Sequence, residues 1–274
     1  MSDRFLRITP ILVVFALALG CGSGGSSGSS GQTQAVATGA PASSIKGNGS
    51  FFDTAVGDGD VVEQSDGAAT LLIQESAVFS SDVNIDAAAY LGNGNIVFST
   101  EAAFTEGPMT YMPDSLVEYD MATGALSLYF DGSAHFESPD ENIDAVHVFE
   151  NGNLALSTWD NARLGTAGTA PVFHSGDVVE YDPNTGTFVG TLFSANDLMA
   201  SGDLVGSNQV DAVRILGPDL MAISLAAAAT IFGTAVEDGD IVVVDLAART
   251  AIIEWSEAEM FAGDEDLDAI LSVR

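Results

Sequence analysis

The sequence predicts an all-β chain, a β-propeller whose last blade is shared between the two ends. Three observations predict it. A hydrophobe followed by Asp-Ala recurs at Ile85-Asp86-Ala87, Ile143-Asp144-Ala145, Val210-Asp211-Ala212 and Leu267-Asp268-Ala269, about 60 residues apart. Each of the first three recurrences opens a series of short runs rich in Val, Ile, Leu and Phe, with turn residues between them. Finally, "FFDTAVGDGDVVEQ" (51–64) nearly repeats "IFGTAVEDGDIVVV" (231–244), so the N-terminal stretch carries the late strands of a unit that begins elsewhere.

The N-terminus reads differently from the rest. Arg4 and Arg7 precede the apolar run 11–19, followed by Gly20 and Cys21. A basic start, a short apolar stretch and small residues before a cysteine describe a signal peptide, residues 1–20. The run falls short of the roughly 20 apolar residues a spanning helix needs. "ALGC" resembles the bacterial lipoprotein lipobox, which implies lipidation at Cys21 and a membrane held only through that anchor. Gly22 after the cysteine, by the same resemblance to Gram-negative lipoproteins, implies export to the outer membrane or cell surface. Cys21 is the one cysteine of 274 residues, so no internal disulfide supports the fold. Residues 21–44 are Gly- and Ser-rich and read as a flexible tether, leaving 45–274 for the propeller.

Seven basic residues stand against 39 acidic ones, a net charge of −32, and Lys46 is the one lysine. Such a surface repels nucleic acid and anionic headgroups and attracts cations. Adaptation to salty surroundings would give the same composition.

Unit one runs "NIDAAAYLGNGNIVFST" then "DSLVEYDMATGALSLYF". Unit two runs "NIDAVHVFENGNLALST" then "GDVVEYDPNTGTFVGTLF", and unit three "QVDAVRILGPDLMAISL" then "GDIVVVDLAARTAIIEW". Asn-Gly-Asn or Gly-Pro-Asp joins the first and second runs, and Ala-Thr-Gly, Asn-Thr-Gly or Ala-Ala-Arg joins the third and fourth. Such short turns connect antiparallel neighbours. The C-terminal "DLDAILSVR" supplies a first strand, and "PASSIKG" aligns with "MAISLAA" as a second. Four blades in one ring follow, with two chains combining into a larger ring as the alternative. Helix is confined to "SANDLMAS" and "SEAEMFAG".

In a propeller the first strand of each blade is innermost, which places Asp86, Asp144, Asp211 and Asp268 around the axis on one face. Each carboxylate could accept backbone N–H bonds and fix register. Alternatively the quartet holds an axial cation, since crowded carboxylates resist ionising without a positive charge among them. Ca2+, with six to eight oxygen ligands and loose geometry, suits that role. Ala87, Ala145, Ala212 and Ala269 let neighbouring blades approach. Asp60, Asp177 and Asp240 open third strands on the same face, and Ser115 replaces the acid in unit one. That face also receives the long connections, where function concentrates. His135 and His174 lie in these connections, and Trp159, with Phe173 beyond it, offers an exposed contact. His147 reads as packed between blades, and Ser99 and Ser157 recur as structural positions. His135, His174 and Asp177 are a further grouping that could bind zinc or work as acid and base, and no nucleophile elbow is present.

At "YFDGS…ENIDAVHVFENGNLALST…GDVVEYDPNTGTF" the chain resembles a tandem repeat of uncharacterised bacterial surface proteins and lipoproteins. Separately, "IDAA" and "IDAV" are similar to the start of hemopexin-type four-bladed repeats. That second likeness implies an ion beside Asp86, Asp144, Asp211 and Asp268. The leading expectation is a lipid-anchored, acidic, non-enzymatic binding module of the cell envelope whose partner is a protein, a glycan or a cation. A metal-dependent hydrolase of lactonase or esterase type on the long-loop face, and a structural envelope component, are the alternatives.

Overall fold

A computed structural model describes residues 42–46, 49–51, 54–57, 59–65, 68–138, 141–165, 170–261 and 266–271, all within one compact unit of residues 39–274. Cys21, the signal peptide and most of the tether lie outside the described residues. The first described strand, Ala42–Lys46, starts three residues inside the stretch that the sequence assigns to the tether.

Among the described residues the chain forms four four-stranded antiparallel sheets. The first sheet holds Ile85–Tyr90, Ile96–Thr100, Leu116–Tyr119 and Leu126–Phe130. The second holds Ile143–Val148, Leu154–Thr158, Val178–Asp182 and Thr187–Phe193. The third holds Val210–Gly217, Leu220–Leu225, Ile241–Asp245 and Thr250–Trp255. The last joins the two ends of the chain: Asp266–Leu271, Ala42–Lys46, Val61–Ser65 and Ala68–Ile73 lie side by side in that order. The first-named strand of each sheet packs against its counterparts in the two neighbouring sheets, so the four inner strands surround one axis in a propeller-type arrangement.

One register recurs in all four sheets. Ala87 pairs with Ser99, Ala145 with Ser157, Ala212 with Ser224, and Ala269 with Ser44 across the joined ends. Just before each alanine the ladder slips: Asp86, Asp144 and Asp211 are the extra residue of a β-bulge, and in the joined sheet Leu267 and Asp268 together face the single residue Ile45. The serine opposite can link units. The Ser99 hydroxyl is buried and donates to the Ile143 carbonyl in the inner strand of the second sheet at 2.7 Å.

The core lies between sheets. Phe98, Ile85 and Ile96 of the first sheet pack with Val61, Ile73 and Leu271 of the joined one. Leu116 and Val97 meet Leu154 and Leu156 of the second sheet, and Ala145 and Val178 meet Val213 and Ile223 of the third. All are nearly devoid of solvent exposure, which contributes roughly 1.5–3 kcal/mol for each large side chain removed from water.

The long connections between second and third strands are not open loops. Each forms a small hairpin: Gly49–Phe51 with Thr54–Val56, Phe104–Glu106 with Met109–Tyr111, Ala162–Arg163 with Val172–Phe173, and Ala229–Ile231 with Thr234–Val236. An apolar residue arriving from the preceding sheet meets each one. Phe79 contacts Phe104 edge-on at 5.3 Å, Phe136 bridges Leu164, Leu204 pairs with Ile231, and Phe261 bridges Phe51. Among the described residues helix is limited to Glu75–Val78, Ala195–Ser201, Glu257–Met260 and a 3-10 turn at Gly132–Ala134, each after a fourth strand. No helix among the described residues is long and apolar enough to cross a membrane.

Candidate functional site

The bulge that carries each ring acid takes its residue out of the ladder. Asp144, Asp211 and Asp268 are buried, while Asp86 keeps some exposure. Asn142, the residue before the second inner strand, donates through Nδ2 to Asp86 Oδ2 at 2.6 Å and to Asp144 Oδ1 at 3.2 Å. A neutral amide thus bridges two neighbouring ring acids. Among the described residues, no three His, Cys, Asp or Glu side chains are grouped so as to hold a metal ion.

Asp60 and Asp240 have a shared task. Each begins a third strand, and each accepts two backbone N–H groups. Asp240 Oδ2 takes the Glu237 N–H at 2.9 Å and Oδ1 takes that of Glu257, the first residue of a short helix, at 2.8 Å. Asp60 does the same with Gly57 at 2.9 Å and Glu75 at 2.8 Å. Each carboxylate therefore clamps a turn to the helix that leaves its own sheet, where exposed N–H groups favour negative charge. Asp177 makes half of this arrangement: Oδ2 accepts the His174 N–H at 3.0 Å, and Oδ1 is buried with no hydrogen-bond partner among the described residues. Ser115 does not break the pattern. Its hydroxyl receives the Gly132 N–H at 3.3 Å, and its own N–H closes the same tight turn onto Met112 that Asp60, Asp177 and Asp240 close onto Gly57, His174 and Glu237.

The two loop histidines do not join Asp177 in one constellation. The His135 ring stacks on Phe130 at 4.8 Å, and its Nδ1 shares a 2.8 Å hydrogen bond with the Tyr181 hydroxyl. Burial pushes this imidazole below its ordinary pKa, against a smaller upward pull from Asp131. His174 is exposed, and its Nδ1 lies 3.3 Å from Asn161 Oδ1. His147 packs edge-on against Phe149, and burial, with a further push from Arg214, lowers its pKa to about 4.

What the second unit does assemble is a polar cleft. Glu137, Glu141, Asn161, Arg163 and Val172 line a space of about 380 Å3. The Arg163 guanidinium donates to the Ala170 carbonyl at 2.7 Å and lies 3.4 Å from Glu137, which fixes its plane at the wall. Trp159, two residues before Asn161, is 46% exposed, and its backbone N–H donates to the carbonyl of Asn142, the neighbour of Glu141.

A second cleft, of about 630 Å3, opens at the opposite, short-turn side, between residues 90–93 and 147–152. Tyr90, Tyr129, Phe149, Glu150, His147 and Ile215 contribute to its wall. Reasoning from the sequence missed it because it assigned function to the long connections. A signal existed: Tyr90 aligns with Val148 and Ile215 of the other units, so aromatic residues replace aliphatic ones at this corner.

No family model matches the chain, and no curated protein matches its sequence. Among solved structures it is similar to the extracellular domain of a one-component system from B. thetaiotaomicron, with TM-score 0.36 and 8% identity over 81% of this chain and 35% of that one. It is also similar to YCF48 bound to D1 peptide, with TM-score 0.31 and 9% identity over 73% and 48% of the two chains. A third is a catalytically inactive virginiamycin B lyase from Staphylococcus aureus with quinupristin, with TM-score 0.30 and 11% identity over 81% and 69%. This chain spans about a third of the first of these. At such TM-scores its fold and its sites stand on its own geometry.

Proposed function

We propose that the chain is an exported, lipid-anchored, acidic propeller of four blades closed within one polypeptide, and that it is a non-enzymatic binding module of the cell envelope. Its contact surface is the cleft of the second unit, and its ligand is a glycan. The observation that carries this is a cleft lined by the planar hydrogen-bonding groups of Asn161, Arg163, Glu137 and Glu141, with the half-exposed Trp159 two residues before Asn161 in the chain. An indole offers a flat apolar face to the C–H side of a sugar ring, and amide, guanidinium and carboxylate groups fix its hydroxyls. Two carboxylates against one guanidinium favour a neutral sugar over an acidic one.

The chain has two tryptophans, so Trp255→Phe leaves Trp159 as the sole indole reporter. Titration of that variant with fragments of envelope polysaccharide should shift the emission and shield it from acrylamide, and Asn161→Ala should weaken both effects. No response to any fragment would overturn the glycan reading. Turnover of esters or lactones that needs a metal and disappears in His174→Ala would favour the hydrolase instead. Lipidation is tested by palmitate labelling that is lost in Cys21→Ala. Calcium at the axis belongs to the proposal through the ring acids: added Ca2+ should raise the melting temperature of the native chain but not of an Asp144→Asn, Asp211→Asn variant.

A further inference from the structure

The short-turn cleft departs from the repeat where the scaffold gives no reason for it to do so. Tyr90 stands where the second and third units carry Val148 and Ile215, and Phe149 where the first and third carry Leu91 and Leu216. Tyr129, next to Phe130 in the first sheet's outer strand, corresponds by register to Leu192, next to Phe193 in the second. Glu254 takes the Tyr129 position in the third sheet and Ser272 aligns with Tyr90 after the fourth Asp-Ala, so the repeat places aliphatic or polar residues at these positions elsewhere and does not demand rings. All three aromatic exceptions line one space of about 630 Å3, open to solvent and walled mainly by the first and second units.

The charges around it share a sign. Glu150 lies in the wall and is exposed. Glu63 Oε1 lies 3.5 Å from the Tyr90 hydroxyl, and Glu118 is near enough to raise the Tyr129 phenol, adding to the effect of burial. His147 stays neutral at pH 7, with its pKa near 4, so it brings hydrogen-bonding capacity without positive charge. Among the described residues the cation close by is Arg214, next in sequence to Ile215. It is partly buried, and it stands against three carboxylates and a chain net charge of −32.

We propose that this cleft binds a small organic cation through its ammonium head. Aromatic faces carry negative potential and attract such a head when it is partly desolvated, and the carboxylates concentrate cations at the mouth. The space suits one small molecule rather than a polymer segment or a membrane surface. The site lies across the molecule from the Trp159 cleft and is independent of it.

The test uses the full chain, with choline and its uncharged isostere 3,3-dimethylbutan-1-ol as probes, followed by calorimetry and by line broadening of the methyl protons. Choline should bind about tenfold more tightly than the isostere, the ratio for a charge-dependent contact of about 1.4 kcal/mol. Phe149→Leu and Tyr129→Leu, which restore residue types the other units already carry, should each weaken choline several-fold while leaving the urea midpoint nearly unchanged. Glu150→Gln should weaken choline but not the isostere, and Trp159→Ala should change neither. Equal affinity for the two probes would make the cleft merely apolar and overturn the proposal. So would no response at millimolar choline, or retention only on phosphatidylcholine vesicles with no response to free choline.

Discussion

At the scale of the residue, the outer acids show how one side chain can secure two segments. Removing the buried Asp240 carboxylate strands two partly buried backbone donors, so Asp240→Ala should lose about 1–3 kcal/mol of unfolding free energy. Asp177→Ala strands one donor and also removes an unpartnered oxygen, so it should lose about half as much. Urea midpoints at constant slope give the ranking. His147 makes a pH-dependent contribution. Its folded pKa of about 4 lies below the ordinary 6.5, so the unfolded chain binds more protons between these values. Stability from this residue is complete above about pH 6.5 and is lost as pH falls towards 4, on the order of 3 kcal/mol in all. In His147→Gln the urea midpoint should fall less steeply across that window than in the native chain. Residue-level legibility was uneven. The acids could be found because each sits at a fixed place in a repeat, but their tasks depend on which N–H groups the turns aim at them. Ser115 looked like a break in the pattern because a hydroxyl and a carboxylate are unlike as letters and alike as acceptors.

At the scale of the element, alternating apolar residues between Asn-Gly and Thr-Gly turns made the main strands readable. The four small hairpins were not, since their strands have only two or three residues and their register is set by contacts such as Phe79 with Phe104. The close fit at the joints between units shows in two glycines. A Cβ at Gly132 would stand 1.9 Å from the Asp114 carbonyl oxygen, and one at Gly176, where φ is +80°, would stand 1.6 Å from that of Asn208. Gly190, in the outer strand of the second sheet, has nothing within 4 Å of such an atom. Gly132→Ala and Gly176→Ala should therefore each cost more than about 2 kcal/mol, or prevent folding, while Gly190→Ala should change stability by less than about 1 kcal/mol. Thermal melts of the three variants side by side check this. The aromatic cleft escaped the sequence for a related reason: Tyr and Phe beside a tight turn look like core until the sheets are set around an axis.

At the scale of the whole molecule, 39 acidic residues against seven basic ones make the folded chain repel itself. Added NaCl should raise the melting temperature steadily as screening shortens towards about 8 Å near physiological ionic strength. KCl should act alike, and a salt-independent melt would show that the charge is already locally compensated. The joined sheet makes a second demand. Deleting residues 266–274 removes buried Leu267, Ala269 and Leu271 and leaves Ala42–Lys46 without its inner neighbour, so cooperative unfolding should disappear. The pairing of Ser44 with Ala269 also sets an order of events during synthesis. Three sheets are built from strands close in sequence, but Ala42–Lys46 must wait for Asp266–Leu271, more than 200 residues later in the chain. Until then the fourth sheet lacks its inner strand. Ring closure should therefore be the slowest step of folding, because contacts so distant along the chain repay their entropy only when they all form together.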